Sequence, residues 1–340
     1  MKKTSVVILN WNGAKLLKQF LPTVLMHTQT EDCEVVVADN NSSDNSIEVL
    51  RQQFPNVKLI LLDKNYGFAE GYNKALQQID SEYVVLLNSD VETSFNWLNP
   101  LIEHLEQNRD TAAVQPKILS YTNKTMFEYA GAAGGFIDRY GYPFCRGRIL
   151  HELEEDKGQY DEPIEIFWAT GACLCMRKDD YMEAGGLDGD FFAHMEEIDL
   201  SWRLLARGKK VVCLPQSKVY HVGGASLNSE SPRKVHLNFR NNLLMIYKNA
   251  TQTKLIEVLL IRIVLDTAAA AHFLVQGKWR HAKAVGKAYS DFIKMRPAFK
   301  PKRKYNLDKT IQTNIQQLYK GSMLVDFYFR RKKKYSDIIK

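Results

Sequence analysis

The chain has 340 residues, 45% hydrophobic and 25% charged. That length and balance describe a globular protein of one large or two ordinary domains and exclude a disordered one. Five cysteines form no disulfide framework, and Cys173-x-Cys175 lacks the second pair that a zinc site of this kind needs, so a reducing cytoplasm fits best. The net charge of +7 is unevenly shared: residues 1–245 hold 25 Lys and Arg against 33 Asp and Glu, whereas residues 246–340 hold 21 against 6. A net −8 beside a net +15 predicts different partners for the two parts, an anionic surface for the second.

The apolar stretch Val6–Leu9 is too short for a signal-peptide core. Residues 4–9 predict a first buried strand, ending in Asn10-Trp11-Asn12-Gly13, and Leu16 to Leu25 recur at helical spacing. Residues 33–38 predict a second strand, ending in Asp39-Asn40-Asn41-Ser42-Ser43-Asp44. A helix over 47–54, a strand over 57–62 and a helix around 72–79 follow. Then comes the apolar run Tyr83–Leu87, ending in Asn88-Ser89-Asp90. Strand and helix alternating at this spacing predict βαβ units and a parallel sheet. Three of these strands end in Asn or Asp, and ligands of open α/β sheets bind at such ends. Asp39 suits a base or ribose, and Asp90 suits a hard cation such as Mg²⁺ shared with substrate phosphates. No G-x-G-x-x-G follows the first strand, which argues against a dinucleotide fold.

A helix over 97–107 and a strand over 112–118 are predicted next. Residues 121–165 are glycine-rich and irregular, with an acidic run, Glu152–Asp156, expected to be a solvated loop. Residues 167–176 predict a strand with an embedded Gly171. A second polar cluster runs from Gly185 to Asp190 and leads into Met195-Glu196-Glu197-Ile198-Asp199-Leu200-Ser201-Trp202-Arg203. On a helix starting near Met195, Glu196, Asp199 and Arg203 share a face while Glu197 points elsewhere, which suits it to a crevice. His221 lies at a strand end beside Gly223 and Gly224, and Phe239-Arg240-Asn241-Asn242 is placed at the head of a helix.

Six blocks, VVILNWNG (6–13), VVVADNNSSDNS (35–46), NYGFAEGYNKAL (65–76), VVLLNSD (84–90), residues 169–208 and VYHVGG (219–224), occur in the order of the family-2 glycosyltransferases of the GT-A fold. The chain resembles the bacterial rhamnosyltransferase-like members in particular. The resemblance implies an α/β, Rossmann-like, mainly parallel sheet flanked by helices over residues 1–245. About 1–120 would bind the nucleotide-sugar and about 121–245 the acceptor, with a basic, mostly helical extension over 246–340. It implies an inverting transfer from a nucleotide-diphosphate sugar, dTDP-rhamnose among the candidates, to a glycan or lipid-linked hydroxyl in cell-surface polysaccharide synthesis. Asn10, Asp39, Asn73, Asn88, Ser89 and Arg240 would contact the nucleotide-sugar. Asp90 and His221 would hold a divalent metal, Mg or Mn, although Asn88 replaces the first acid of the family's D-x-D. Glu197 stands where the family has its catalytic Asp, and the base is left open between Glu196 and Glu197. A nucleotidyltransferase and a non-catalytic sugar-nucleotide binding module are the alternatives.

Residues 255–275 are apolar but carry Glu257, Arg262, Asp266 and His272, and charges near the centre of a span cost about 2.5–3.5 kcal/mol each. A soluble helix with an Arg262–Asp266 pair is therefore expected. Over 279–295, Arg280, Lys283, Lys287 and Lys294 form one helical stripe, with Trp279, Val285, Tyr289 and Phe292 opposite. Such a helix, followed by further basic runs at 300–304 and 330–334, predicts a peripheral contact with the anionic inner face of the cell membrane. No nucleic-acid partner is expected, because the acidic first part would repel phosphates.

Overall fold

The structure is a computed structural model that describes residues 2–28, 32–223 and 231–339. Its first part alternates strand and helix: β1 (Thr4–Asn10), α1 (Ala14–His27), β2 (Cys33–Asp39), α2 (Ser46–Gln53), β3 (Lys58–Leu61), α3 (Gly67–Leu76) and β4 (Tyr83–Asn88). Val6, Val7, Val36, Val37, Val84 and Val85 are wholly buried, as continuous β-branched runs are when both faces of a sheet are covered. On one face Val6 and Ile8 pack with Leu17 and Leu21 of α1; on the other Val7 packs with Tyr72 and Leu76 of α3. These four strands are mutually parallel in the order β3-β2-β1-β4.

β5 (Val91–Thr93), α4 (Asn99–Gln107) and β6 (Thr111–Ser120) follow. A second sheet begins with β7 (Gly135–Asp138), β8 (Pro143–Cys145), β9 (Arg148–Ile149) and β10 (Glu152–Leu153). Beyond it come β11 (Ile164–Glu165), β12 (Cys173–Arg177), α5 (Lys178–Ala184), α6 (Glu196–Ala206) and β13 (Lys210–His221). The main sheet continues as β11-β13-β6-β12-β4, with β12 antiparallel between β4 and β6, and β5 pairs with β13. The strand predicted over 167–176 is therefore shorter. Thr170 Oγ1 accepts from the Ala172 amide and Gln115 Oε1 from the Thr170 amide, which turns the chain before Cys173.

The C-terminal part consists of α7 (Pro232–Asn249), α8 (Gln252–Val275), α9 (Trp279–Asp308), β14 (Leu318–Tyr319), α10 (Met323–Tyr328) and α11 (Tyr335–Ile338). Ser231 caps α7 by accepting from the Lys234 amide, and Pro232 opens it. Arg240 thus sits in the middle of that helix rather than at its head. Position 245/246 also falls inside α7. The helix predicted over 279–295 continues to Asp308 through Pro297 and Pro301, held by burial of Phe299, Arg303 and Asn306. Arg303 donates to the carbonyls of Tyr247 and Ala250, which end α7.

β14 joins the second sheet beside β7. There the acidic run is not a solvated loop. Glu152 pairs with Lys333 at 2.6 Å, Asp156 pairs with the buried Lys117 at 2.9 Å, and Glu154 accepts from the Tyr335 amide. Part of the charge asymmetry is thus neutralised inside the molecule.

Candidate active site

β1 is the switch point of the parallel half, since its neighbours β2 and β4 lie on opposite sides and are reached by crossovers in opposite directions. A crevice opens at the carboxyl ends of strands at such a point. Register places Asn10 opposite Asp39, and Leu9 opposite Asn88. Asn10 Nδ2 donates to Asp39 Oδ2 at 2.9 Å, and Asp39 Oδ1 accepts from the Ser42 amide at 2.8 Å. Asn10 Oδ1 is buried without a partner, so one acceptor at this strand end is left for a ligand. A Cβ on Gly13 would fall 2.4 Å from that oxygen, so only glycine keeps the approach to it open. Asn12, at φ +51°, accepts from the Ser43 amide and locks the two strand-end loops together.

Asn73 is placed differently from a pocket wall. Its Nδ2 donates to Glu70 and to the Leu187 carbonyl, and its Oδ1 accepts from Tyr181 Oη and the Leu187 amide. Its hydrogen-bonding capacity is filled by Glu70 within α3, by Tyr181 of α5 and by the Leu187 backbone, which ties α3 to α5 and the turn after it.

At the end of β4, Asn88 and Ser89 are half-buried and Asp90 is buried. Asp90 Oδ1 lies 3.1 Å from His221 Nε2, and Asn88 Nδ2 lies 3.3 Å from the same nitrogen. His221 Nδ1 lies 3.2 Å from Glu128 Oε2, a charge contact without hydrogen-bond alignment, so that nitrogen keeps no properly directed partner. Burial works against a charged imidazole here, but the Asp90 contact and the negative charges of Asp90 and Glu128 outweigh it and push His221 up to about 10. Among the described residues no three His, Cys, Asp or Glu side chains form a closed metal cage. Asp90, with Asn88 beside it, instead matches a cation that takes most of its ligands from a diphosphate, and His221 joins it as a ligand only by giving up the proton that the carboxylates hold on it. Glu128 was missed in the sequence, where a lone acid in a glycine-rich stretch carries no signal.

The second cluster begins after the left-handed Gly185 and Gly186. The segment that follows has three non-glycine residues at positive φ, Phe192 (+65°), His194 (+73°) and Met195 (+74°). Such strain persists only where surroundings enforce it. Here the amides of Phe68 and Ala69, at the start of α3, both donate to the Phe192 carbonyl. Asn241 Nδ2 donates to the carbonyls of Phe191, Ala193 and His194, and Arg240 donates to those of Asp190 and Phe191. Arg240 therefore braces this segment, its guanidinium hydrogen-bonded to Asn241 and to the Asp190 and Phe191 carbonyls.

The segment delivers Glu196 and Glu197 to the first turn of α6. Each has an Oε2 that is buried without a partner. Burial, then the charge of Glu197, hold Glu196 well above the usual carboxylate range, while burial pushes Glu197 up to about 7. Asp199 and Arg203 do other work. Asp199 is wholly buried and accepts from Arg203, Lys248 and Asn249, and Arg203 donates to the Ala184 and Gly186 carbonyls. The two clusters meet through residues 169–172. The Asn88 amide donates to the Ala172 carbonyl, while the Ala169 amide donates to Ser201 Oγ, which itself donates to the Glu197 carbonyl. Burial, then the charge of half-buried Lys234 in the first turn of α7, lowers His194 to about 4. A cavity of about 290 Å³ lies elsewhere, among Trp202, Ile246, Val258 and Ile315, and includes none of these strand-end residues.

Residues 5–183 match the model of the family described as Glycosyl transferase family 2. The chain belongs to this family. It is 27% identical over 234 residues to the O-antigen biosynthesis protein RfbC of Myxococcus xanthus, covering 67% of this chain and 18% of that protein. It thus spans less than a fifth of that relative's length. It is 24% identical over 232 residues to the N-acetylglucosaminyl-diphospho-decaprenol L-rhamnosyltransferase of Mycobacterium tuberculosis, covering 64% of this chain and 75% of that one. The mannosyltransferase PcManGT of Pyrobaculum calidifontis, solved with GDP-Man and Mn2+, matches in fold with a TM-score of 0.52 at 14% identity, over 97% of this chain and 88% of that one. The family-2 chain has the GT-A fold.

Proposed function

We propose that this family-2 chain moves a sugar from a nucleotide-diphosphate sugar to a hydroxyl of a glycan or lipid-linked acceptor, with inversion, on the cytoplasmic side of the membrane in surface-polysaccharide synthesis. The observation that carries the reading is the Glu197 carboxyl, buried at the start of a helix, with one oxygen unpartnered and its pKa pushed up to about 7. A base of that strength is half in its working form near neutral pH. As the acceptor oxygen attacks the anomeric carbon, its proton passes to Glu197, the new C–O bond forms, and the bond to the diphosphate oxygen breaks. Attack from the face opposite the leaving group inverts the carbon.

Asn10 and Asp39 hold the nucleoside in this reading, and the rhamnosyltransferase relative makes dTDP-rhamnose a donor to try first. Asp90 and His221 would hold a divalent cation, whose chemistry is to neutralise charge on the departing diphosphate. Lys234, half-buried in the first turn of α7, and the Asn88 side-chain amide would meet the remaining phosphate oxygens.

The test is a panel of nucleotide sugars, with and without Mn²⁺ or Mg²⁺, scored by thermal shift and by nucleoside diphosphate release with acceptor present. A donor at a hundredfold excess over Kd stabilises by about 2.7 kcal/mol. Stabilisation by a nucleotide sugar without release, for every acceptor offered, would leave a binding module and overturn the transferase.

A further inference from the structure

The two charges at the middle of α8 turn into the protein, away from its outer face. Arg262 and Asp266 are buried, 2% and 0% exposed, and pair with each other at 3.1 Å. Tyr142 and Tyr289 both donate to Asp266, each at 2.7 Å, and Arg262 donates to the Tyr140 carbonyl at 3.1 Å. Glu257 is drawn sideways to Arg139 at 2.9 Å. What remains outward is Ile256, Leu260, Ile263, Val264, Leu274 and Val275, exposed by 48–87%. Their spacing, with exposed Thr267, Ala268 and Ala271 between, is one helical face about 30 Å long on which the formal charge, Glu257 near its start, is paired with Arg139. An apolar face of this size is not left to water without a partner.

The flanks say which partner. The face ends at Lys278, Trp279 and Arg280, all exposed, with the Arg280 guanidinium 5.4 Å from the indole centroid. α9 then exposes Lys283, Lys287 and Lys294. The apolar side of α9 itself is used up: Val285, Ala288 and Phe292 are buried in the protein. A second copy of the chain would bring one +15 segment against another. A bilayer with anionic head groups accepts apolar, aromatic and basic side chains in this order.

We infer that the outer face of α8, with the Lys278–Arg280 corner and the exposed lysines of α9, docks on an anionic bilayer, lying in its interface without crossing it. The helix over 279–295 then supplies the basic part of the contact, while the apolar part lies on the helix before it. This deepens the reading of a lipid-linked acceptor and rests on it for its purpose, but its measurement needs neither donor nor acceptor.

Flotation of the full chain with vesicles of phosphatidylglycerol and phosphatidylethanolamine in equal parts, against phosphatidylcholine alone, tests it. The chain should float with the anionic vesicles and stay down with the neutral ones. Leu260→Glu with Val264→Glu, both at exposed positions, should cut recovery about tenfold or more, with unchanged circular dichroism. Lys283→Glu with Lys287→Glu should weaken recovery and remove its dependence on phosphatidylglycerol. Recovery unchanged in the first pair, or absent for the unaltered chain, overturns the inference. So does a dimer in sedimentation that the first pair dissolves without lipid, since the face would then join two copies. Loss of flotation with transfer to a soluble acceptor intact would sink neither the transferase nor this surface; loss of transfer alone would sink only the former.

Discussion

The ring of Phe299, in α9, lies parallel to that of Phe191, their planes 7° apart and their centroids 6.0 Å apart. Phe191 belongs to the strained segment that delivers Glu197, so the C-terminal extension reaches the candidate active site directly. Lys302, one turn on, is paired with Asp188 and with Asp190, the latter at 2.8 Å. Phe299→Ala should cost about 3–5 kcal/mol, the usual range for a buried Phe, and lower the melting temperature. Lys302→Met should leave stability nearly intact but raise amide exchange over 188–195. Exchange there equal to the unaltered chain would show that α9 packs beside the segment without bracing it.

Glu197 and Glu196 separate by pH. A carboxyl raised to about 7 is mostly protonated below that pH, and a protonated carboxyl is no base, so transfer should climb as pH rises through 7 and then level off. Glu197→Gln should lose about 10²–10⁴ in kcat and with it the climbing limb. Glu196→Gln should keep the limb. Near-normal turnover in the Glu197 variant, with loss in the Glu196 variant, would exchange the two assignments.

The contrast between these neighbours marks where sequence reading stops. Apolar runs ending in Asn10, Asp39 and Asn88 announce buried parallel strands and their ligand end, because a continuous run of Val, Ile and Leu has few other uses. Helical spacing likewise separates Asp199 and Arg203 from Glu197. Hydrogen-bond demand is not written in spacing. Asn73 and Arg240 carry the same side-chain types as ligand-binding residues, yet their groups are consumed at the Gly185–Leu187 turn and the 190–191 carbonyls. Glu128 and Lys234 come from an irregular stretch and an unremarked helix start, so only tertiary packing brings them to His221 and His194. The direction in which Arg262 and Asp266 point was equally hidden, and it decides which face of α8 is bare.

His221 makes stability depend on pH. Its folded pKa, pushed up to about 10, exceeds the unfolded value of about 6.5. A raised pKa means the folded state holds the proton longer, so the stabilisation is fully present below 6.5 and is lost as pH rises through 10. Urea midpoints measured in chelator from neutral to alkaline pH should therefore fall. Glu128→Gln should flatten that fall and lower stability near neutrality, because it removes one of the two negative charges that hold the proton on His221. A slope unaltered by this change would show that Asp90 alone holds the imidazolium.

Lys234 is half-buried in the first turn of α7, with burial lowering its pKa and the charge of Glu128 opposing. An incoming diphosphate is the natural counter-charge at that place. Lys234→Met should weaken nucleoside diphosphate binding by about tenfold or more, as loss of one charge-assisted hydrogen bond does, with little change in melting temperature of the free protein. Equal affinity in titration calorimetry would remove Lys234 from the donor site.

Asp90 tests the metal. Asn88 offers a neutral oxygen where an acid would give a second charge, so Asp90 is the one formal anion at the end of β4. Its removal also takes one of the two carboxylates that hold His221 protonated, so the imidazole falls in pKa and becomes a better ligand just as the anionic ligand disappears. These effects oppose, and the charge is the larger, since a hard cation prefers anionic oxygen. Asp90→Ala should abolish transfer and, with nucleoside diphosphate present, weaken Mn²⁺ binding seen by electron paramagnetic resonance. Asp90→Asn should do nearly the same, because the oxygen stays and the charge goes. If Asp90→Ala transfers sugar at the original rate in the presence of chelator, the strand end that the fold puts at its switch point works without a cation, and His221 is left as the charge that faces the diphosphate.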